Sequence, residues 1–65
     1  MIKYPEIEVQ LTGHDGNAFA ILGRMQGAMR QAGISRDEIE QFMSEATSGD
    51  YNHLLRVCME WVEVL

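Results

Sequence analysis

Residues 6–24 read EIEVQLTGHDGNAFAILGR, and a change of period inside this stretch decides the fold. Over 6–12 the residues alternate strictly: Ile7, Val9 and Leu11 on one side, Glu6, Glu8, Gln10 and Thr12 on the other. A repeat of two places successive side chains on opposite faces of a strand, so this segment is expected to be a half-buried β-strand. Pro5 stands at its start, where a missing N–H is tolerated. From about residue 17 the repeat becomes helical, with Ala18, Ile21, Leu22, Met25, Ala28, Met29 and Ala32 on one stripe. Asp15 or Asn17 can cap that helix, and Gly33 reads as its C-terminal stop.

Farther along, Ser35-Arg36-Asp37-Glu38 has the form of a capping box, with Ile34 and Ile39 at the hydrophobic-staple positions. The helix it opens runs through Phe42, Met43 and Ala46. Thr47-Ser48-Gly49 interrupts it, and Asp50 can cap a third helix carrying Tyr51, Leu54, Leu55, Cys58, Met59, Trp61 and Val62. WVEVL at 61–65 either completes this helix or leaves it as a short strand. A lone strand at 6–12 is not stable, so it must pair with those residues or with the same strand of another subunit. The expected fold is α+β, a small single domain spanning 1–65: an N-terminal strand, three helices and the option of a short C-terminal strand.

Composition narrows the function. A 65-residue chain buries only about 60% of the surface its unfolded form exposes, so a lone core is marginal. Cys58 is the only cysteine, which rules out a disulfide within one chain. Homo-oligomerisation is the expected way to gain core. The net charge is −5 and the five basic residues are scattered, so direct DNA or RNA binding is not expected. A single thiol suits a reducing compartment, the opening MIKYPEIEV lacks the apolar region of a signal peptide, and no apolar run is long enough to span a membrane. A cytoplasmic protein is expected.

The turn GHDGN admits two readings. In the structural one, Gly13 and Gly16 supply backbone freedom while Asp15 and Asn17 cap the helix, leaving only His14 without a task. In the functional one, Gly13, His14, Asp15, Gly16 and Asn17 present free N–H groups at a helix N-terminus, with Arg24 about two turns on, as a site for a small anionic ligand. Asp15 opposes an anion unless it takes a ribose hydroxyl or a base edge. The stretch is neither a Walker A loop nor a dinucleotide fingerprint.

Gly23 and Gly27, four apart inside a helix, form a small-residue track with Ala20. Each glycine costs about 0.8–1 kcal/mol relative to alanine. The track would admit close approach of a helix of the same chain, of a second subunit or of a flat ligand. An oligomer interface through Ala20, Gly23 and Gly27 is therefore a candidate.

Other chemistry finds little support. His14, His53 and Cys58 have no metal-ligand spacing, so no metal site and no cofactor are expected. Cys58 lies on an apolar stripe and reads as a core thiol. The carboxylates Glu38, Glu40, Glu45, Asp50, Glu60 and Glu63 read as solvated helix faces and first-turn acids. Enzyme activity is not expected. Met25, Met29, Met43 and Met59 lie on or near apolar stripes and read mainly as core; a Met-rich binding surface is the alternative.

The runs TGHDGNAFAILGR (12–24), EATSGDYNHLL (45–55) and WVEV (61–64) resemble a group of short hypothetical proteins of bacterial and phage genomes. The resemblance implies a small cytoplasmic product of a phage or mobile element that acts by binding. The first expectation is a homo-oligomer that sequesters a nucleotide-like anionic ligand, as a counter-defence. The alternative is an inhibitor or adaptor that binds a host protein through an acidic and Met/aromatic surface, or a structural accessory protein.

Overall fold

The computed structural model describes residues 1–11 and 17–65. The order is β1 (Tyr4–Val9), α1 (Ala18–Gln31), α2 (Arg36–Ala46), α3 (Tyr51–Trp61) and β2 (Val62–Val64), the expected α+β arrangement. WVEVL divides at Trp61. The helix ends there and the next three residues become a strand, which solves the pairing problem of β1 inside the chain. The two strands form a parallel two-stranded sheet, with Tyr4 opposite Val62, Glu8 opposite Glu63 and Val9 opposite Val64. Lys3 N–H to Glu60 O and Leu65 N–H to Val9 O, both 2.9 Å, extend the pairing beyond each end.

The strand itself lies earlier than the alternation predicts. It starts at Tyr4, not Glu6, and ends at Val9. The register slips between Tyr4 and Glu8, a span that contains Pro5, whose missing N–H is compatible with a bulge in an edge strand. Ile7 and Val9 are buried, Glu6, Glu8 and Gln10 are exposed, and Leu11 still packs on the core although it is outside the strand.

Each helix boundary has a local chemical cause. Asn17 is the N-cap of α1: its Oδ1 accepts from Phe19 N–H at 2.7 Å. At the other end Gly33 takes φ +83°, the left-handed conformation that glycine adopts without penalty. Gly33 N–H bonds Arg30 O (3.1 Å) and Ile34 N–H bonds Met29 O (3.0 Å), the paired bonds of a Schellman motif. Ser35 caps α2 by accepting from Glu38 N–H at 3.3 Å. The other half of the expected capping box is redirected, because Glu38 Oε1 receives Tyr4 and Lys3. Asp50 caps α3, with His53 N–H donating at 2.9 Å.

One apolar cluster joins all five elements. Phe42, Met25, Met29, Val62 and Cys58 are its fully buried members, with Ile7, Val9, Ile21, Leu22, Ile39, Ala46, Leu54, Val57 and Trp61 around them. Three corrections fall on the helical stripes. Val57, which lies on none of the expected stripes, is core, whereas Ala32 and Met59 are exposed.

Candidate functional site

Gly13, His14, Asp15 and Gly16 lie outside the described residues. Of the proposed ligand loop, Asn17 and Arg24 are described. Asn17 already serves α1 as its cap, and Arg24 is exposed farther along the helix. Among the described residues, the first turn of α1 carries no acidic side chain.

The glycine track faces outward. Gly23 and Gly27 are exposed, and a Cβ built on either would meet nothing within 4 Å. Close packing of another helix of this chain is therefore not their role. Ala20, beside them, is half-buried. Phe19, four residues before Gly23, is 84% exposed on the same flank of the helix. An aromatic side chain left this open by the first turn of a helix contributes almost nothing to the core.

Among the described residues, two clefts border α1. One, of about 260 Å³, lies between Ala18, Phe19 and Leu22 of α1 and the end of α2 with the start of α3, from Ala46 to Leu54. Phe19 and Tyr51 are its exposed aromatic walls; Leu22, Ala46 and Leu54 are its buried floor. The second, of about 480 Å³, lies between Gln26 and Arg30 of α1 and Arg36, Ile39, Glu40 and Met43 of α2, with Ile34 of the connecting turn. Ile34, Ile39 and Met43 give it an apolar base, and Arg30 and Arg36 stand at its rim. Leu22 and Gln26 are about one turn apart on α1, as are Met43 and Ala46 on α2. Both clefts thus follow the seam between α1 and α2.

A cluster of polar and aromatic side chains gathers around Glu38 in the first turn of α2. Lys3 Nζ sits 4.3 Å from the centroid of the Trp61 ring and 3.4 Å from Glu38 Oε1. Tyr4 Oη donates to the same Glu38 oxygen. Trp61 meets Phe42 edge-on at 5.6 Å and Tyr4 at 6.2 Å. The Tyr4 hydrogen bond, with help from Lys3, holds the Glu38 carboxyl below its ordinary value, against the opposing effect of burial. The same bond is the main reason the Tyr4 phenol is raised, with burial and the charges of Glu38 and Glu6 adding to it. The group ties β1, α2 and α3 together, and no sequence pattern indicated it because its members come from distant segments.

His53 is likewise structural. Its Nε2 lies 2.9 Å from Glu45 O and 3.1 Å from Ser48 Oγ. A carbonyl oxygen only accepts, so Nε2 carries the proton and ties α3 to the end of α2. Cys58 is a free thiol with no exposed surface, and burial pushes its pKa up to about 11. A thiol this resistant to ionisation is a poor nucleophile. Among the described residues no group of three or more His, Cys, Asp or Glu could hold a metal ion, and no helix is long and apolar enough to cross a membrane.

No protein-family model, no curated protein and no solved structure matches the chain.

Proposed function

We propose that this chain is a non-enzymatic protein-binding module that docks a partner on the Phe19 end of the α1–α2 seam. The single observation that carries the reading is Phe19, 84% exposed over an apolar cleft that Tyr51 closes on the other side. Exposed aromatics beside a pocket are the usual anchors of protein interfaces, because they bury a large area at small entropic cost. Among the described residues Phe19 has no comparable task. Such a module fits the inhibitor or adaptor of a host protein, an activity suited to the short hypothetical proteins of bacterial and phage genomes that the chain resembles.

The test is a titration of 15N-labelled protein with amphipathic helical peptides, read by amide shifts. Shifts at Phe19, Leu22, Ala46 and Leu54, abolished in Phe19→Ala, are expected. Absence of any shift there counts against the reading.

A second reading is a homo-oligomer that sequesters a nucleotide-like anion. It draws on the acid-free first turn of α1, on exposed Arg24, and on Gly23 and Gly27, whose open faces leave room for another subunit beside Ala20. Native mass spectrometry with a panel of mono-, di- and cyclic nucleotides separates the two. The protein-binding reading expects no adduct. An adduct of fixed stoichiometry per oligomer, lost in Arg24→Ala, selects sequestration.

A further inference from the structure

We propose that Tyr4, Trp61 and Glu38 form a binding site for an alkylammonium group, and that Lys3 fills it in the free chain as a built-in competitor. The site goes beyond the protein-binding reading above, since none of these residues lines the Phe19 cleft.

The first ground is that the site already holds a group of this chemistry. Lys3 Nζ lies 4.3 Å from the centroid of the Trp61 ring, 5.9 Å from that of Tyr4 and 3.4 Å from Glu38 Oε1. The negative face of an aromatic ring attracts a cation within about 6 Å, most strongly at an indole. The walls are also fixed without Lys3. Phe42 meets the Trp61 ring edge-on at 5.6 Å, and the Tyr4 hydroxyl donates to Glu38 Oε1.

The second ground is that the occupant is held loosely and its walls are not. Lys3 precedes β1, and the side chains of Lys3 and Glu38 are 44% and 37% exposed. An ion pair so open to water contributes little. Trp61, by contrast, is only 4% exposed, with the Lys3 ammonium over its face. Swinging Lys3 into solvent uncovers an indole face beside a carboxylate, a surface that an incoming organic cation covers again.

The donor count selects the ligand. A lysine ammonium has three N–H donors, yet two of the three groups around it here are rings. A head group whose hydrogens are replaced by methyls gives up the bond to Glu38, keeps the ring contacts and the charge, and leaves water more easily than a strongly hydrated ammonium. The ligand class is therefore an N-methylated alkylammonium, carried by a free amine or by a methylated lysine of another protein. Lys3 competes at an effective concentration on the order of millimolar, because it is tethered beside the site.

Trp61 is the only tryptophan of the chain, so its fluorescence reports the site directly. The full chain and its Lys3→Ala variant are titrated with tetramethylammonium, choline and a short peptide bearing one trimethyllysine. Sodium chloride at equal ionic strength and the uncharged tert-butyl analogue of choline serve as controls. A saturable change is expected with the three cations, at least about tenfold tighter in Lys3→Ala than in the unsubstituted chain, and weakened when Glu38→Gln is added. Tighter binding of the peptide than of choline supports a methylated lysine as the source; the reverse order supports a free amine. Equal affinity in the two chains overturns Lys3 as competitor. Equal binding of choline and its uncharged analogue, or no saturable change in a Lys3→Ala chain with a native amide spectrum, overturns the site. If Lys3→Ala does not fold, Lys3→Gln is titrated in its place; loss of the fold in both makes Lys3 a structural strut and overturns the proposal.

Discussion

The two faces of α1 make opposite use of the same helix. Inward, Met25 and Met29 are fully buried and Ile21 and Leu22 nearly so. Outward stand an exposed phenylalanine and two glycines with nothing in front of them. The inward face is what folding requires. On the outward face, Gly23 and Gly27 each give up about 0.8–1 kcal/mol against alanine, and a Cβ at either would meet nothing within 4 Å among the described residues.

That contrast can be broken by substitution. The largest expected effect is on the inner face. Met25→Ala removes a fully buried side chain and should cost about 2–5 kcal/mol, measured by urea denaturation. A loss this large is comparable to the whole stability of a 65-residue domain, so the variant is expected to be largely unfolded at 25 °C. A small loss would mean that α1 is not held by its inward stripe.

On the outer face the sign reverses. Gly23→Ala with Gly27→Ala should stabilise the chain, by an amount approaching 2 kcal/mol if the two sites act independently. Destabilisation would show that the glycines serve a contact within the fold. Gly33→Ala gives a sharper comparison, because there the glycine has a backbone reason. At φ +83° alanine should cost about 1–2 kcal/mol. Three glycines in and beside one helix are thus predicted to divide into two that are dispensable for folding and one that is not.

A smaller effect concerns the cluster around Glu38. Glu38 has a lowered pKa in the folded chain, so its contribution is present above its ordinary value of 4.5 and is lost as pH falls through the lowered folded value. Glu38→Gln should lose this part of the acid-side decline in stability, seen as a shallower dependence of the urea midpoint on pH below 4.5. An unchanged profile would mean that the Tyr4–Glu38–Lys3 group does not persist in solution.

The parts of this molecule that were legible in the sequence are those with local causes. Asn17, Ser35 and Asp50 cap their helices with their own side chains, and Gly33 ends α1 through its own backbone. The alternation of Ile7 and Val9 marks their inward side without reference to anything distant. What needed the structure depends on segments far apart in the chain. The partner of β1 lies at the other terminus, and the slip beside Pro5 moves the strand toward Tyr4. Glu38 was assigned to a cap because Ser35 is three residues away, yet the fold brings Tyr4 and Lys3 to it. The glycine track was visible as a pattern, but its orientation depended on how α1 packs. Of the candidate site, Asn17 and Arg24 are placed, while the Phe19–Tyr51 cleft was not foreseen, because nothing in a helical repeat tells an exposed phenylalanine from a buried one.

In the proposed function Phe19 serves binding and not folding. Phe19→Ala tests it most directly, by measuring stability and peptide affinity on the same variant. Stability should be unchanged to within about 0.5 kcal/mol, with peptide binding at the seam lost. A variant that unfolds more readily yet binds peptide as before would contradict it.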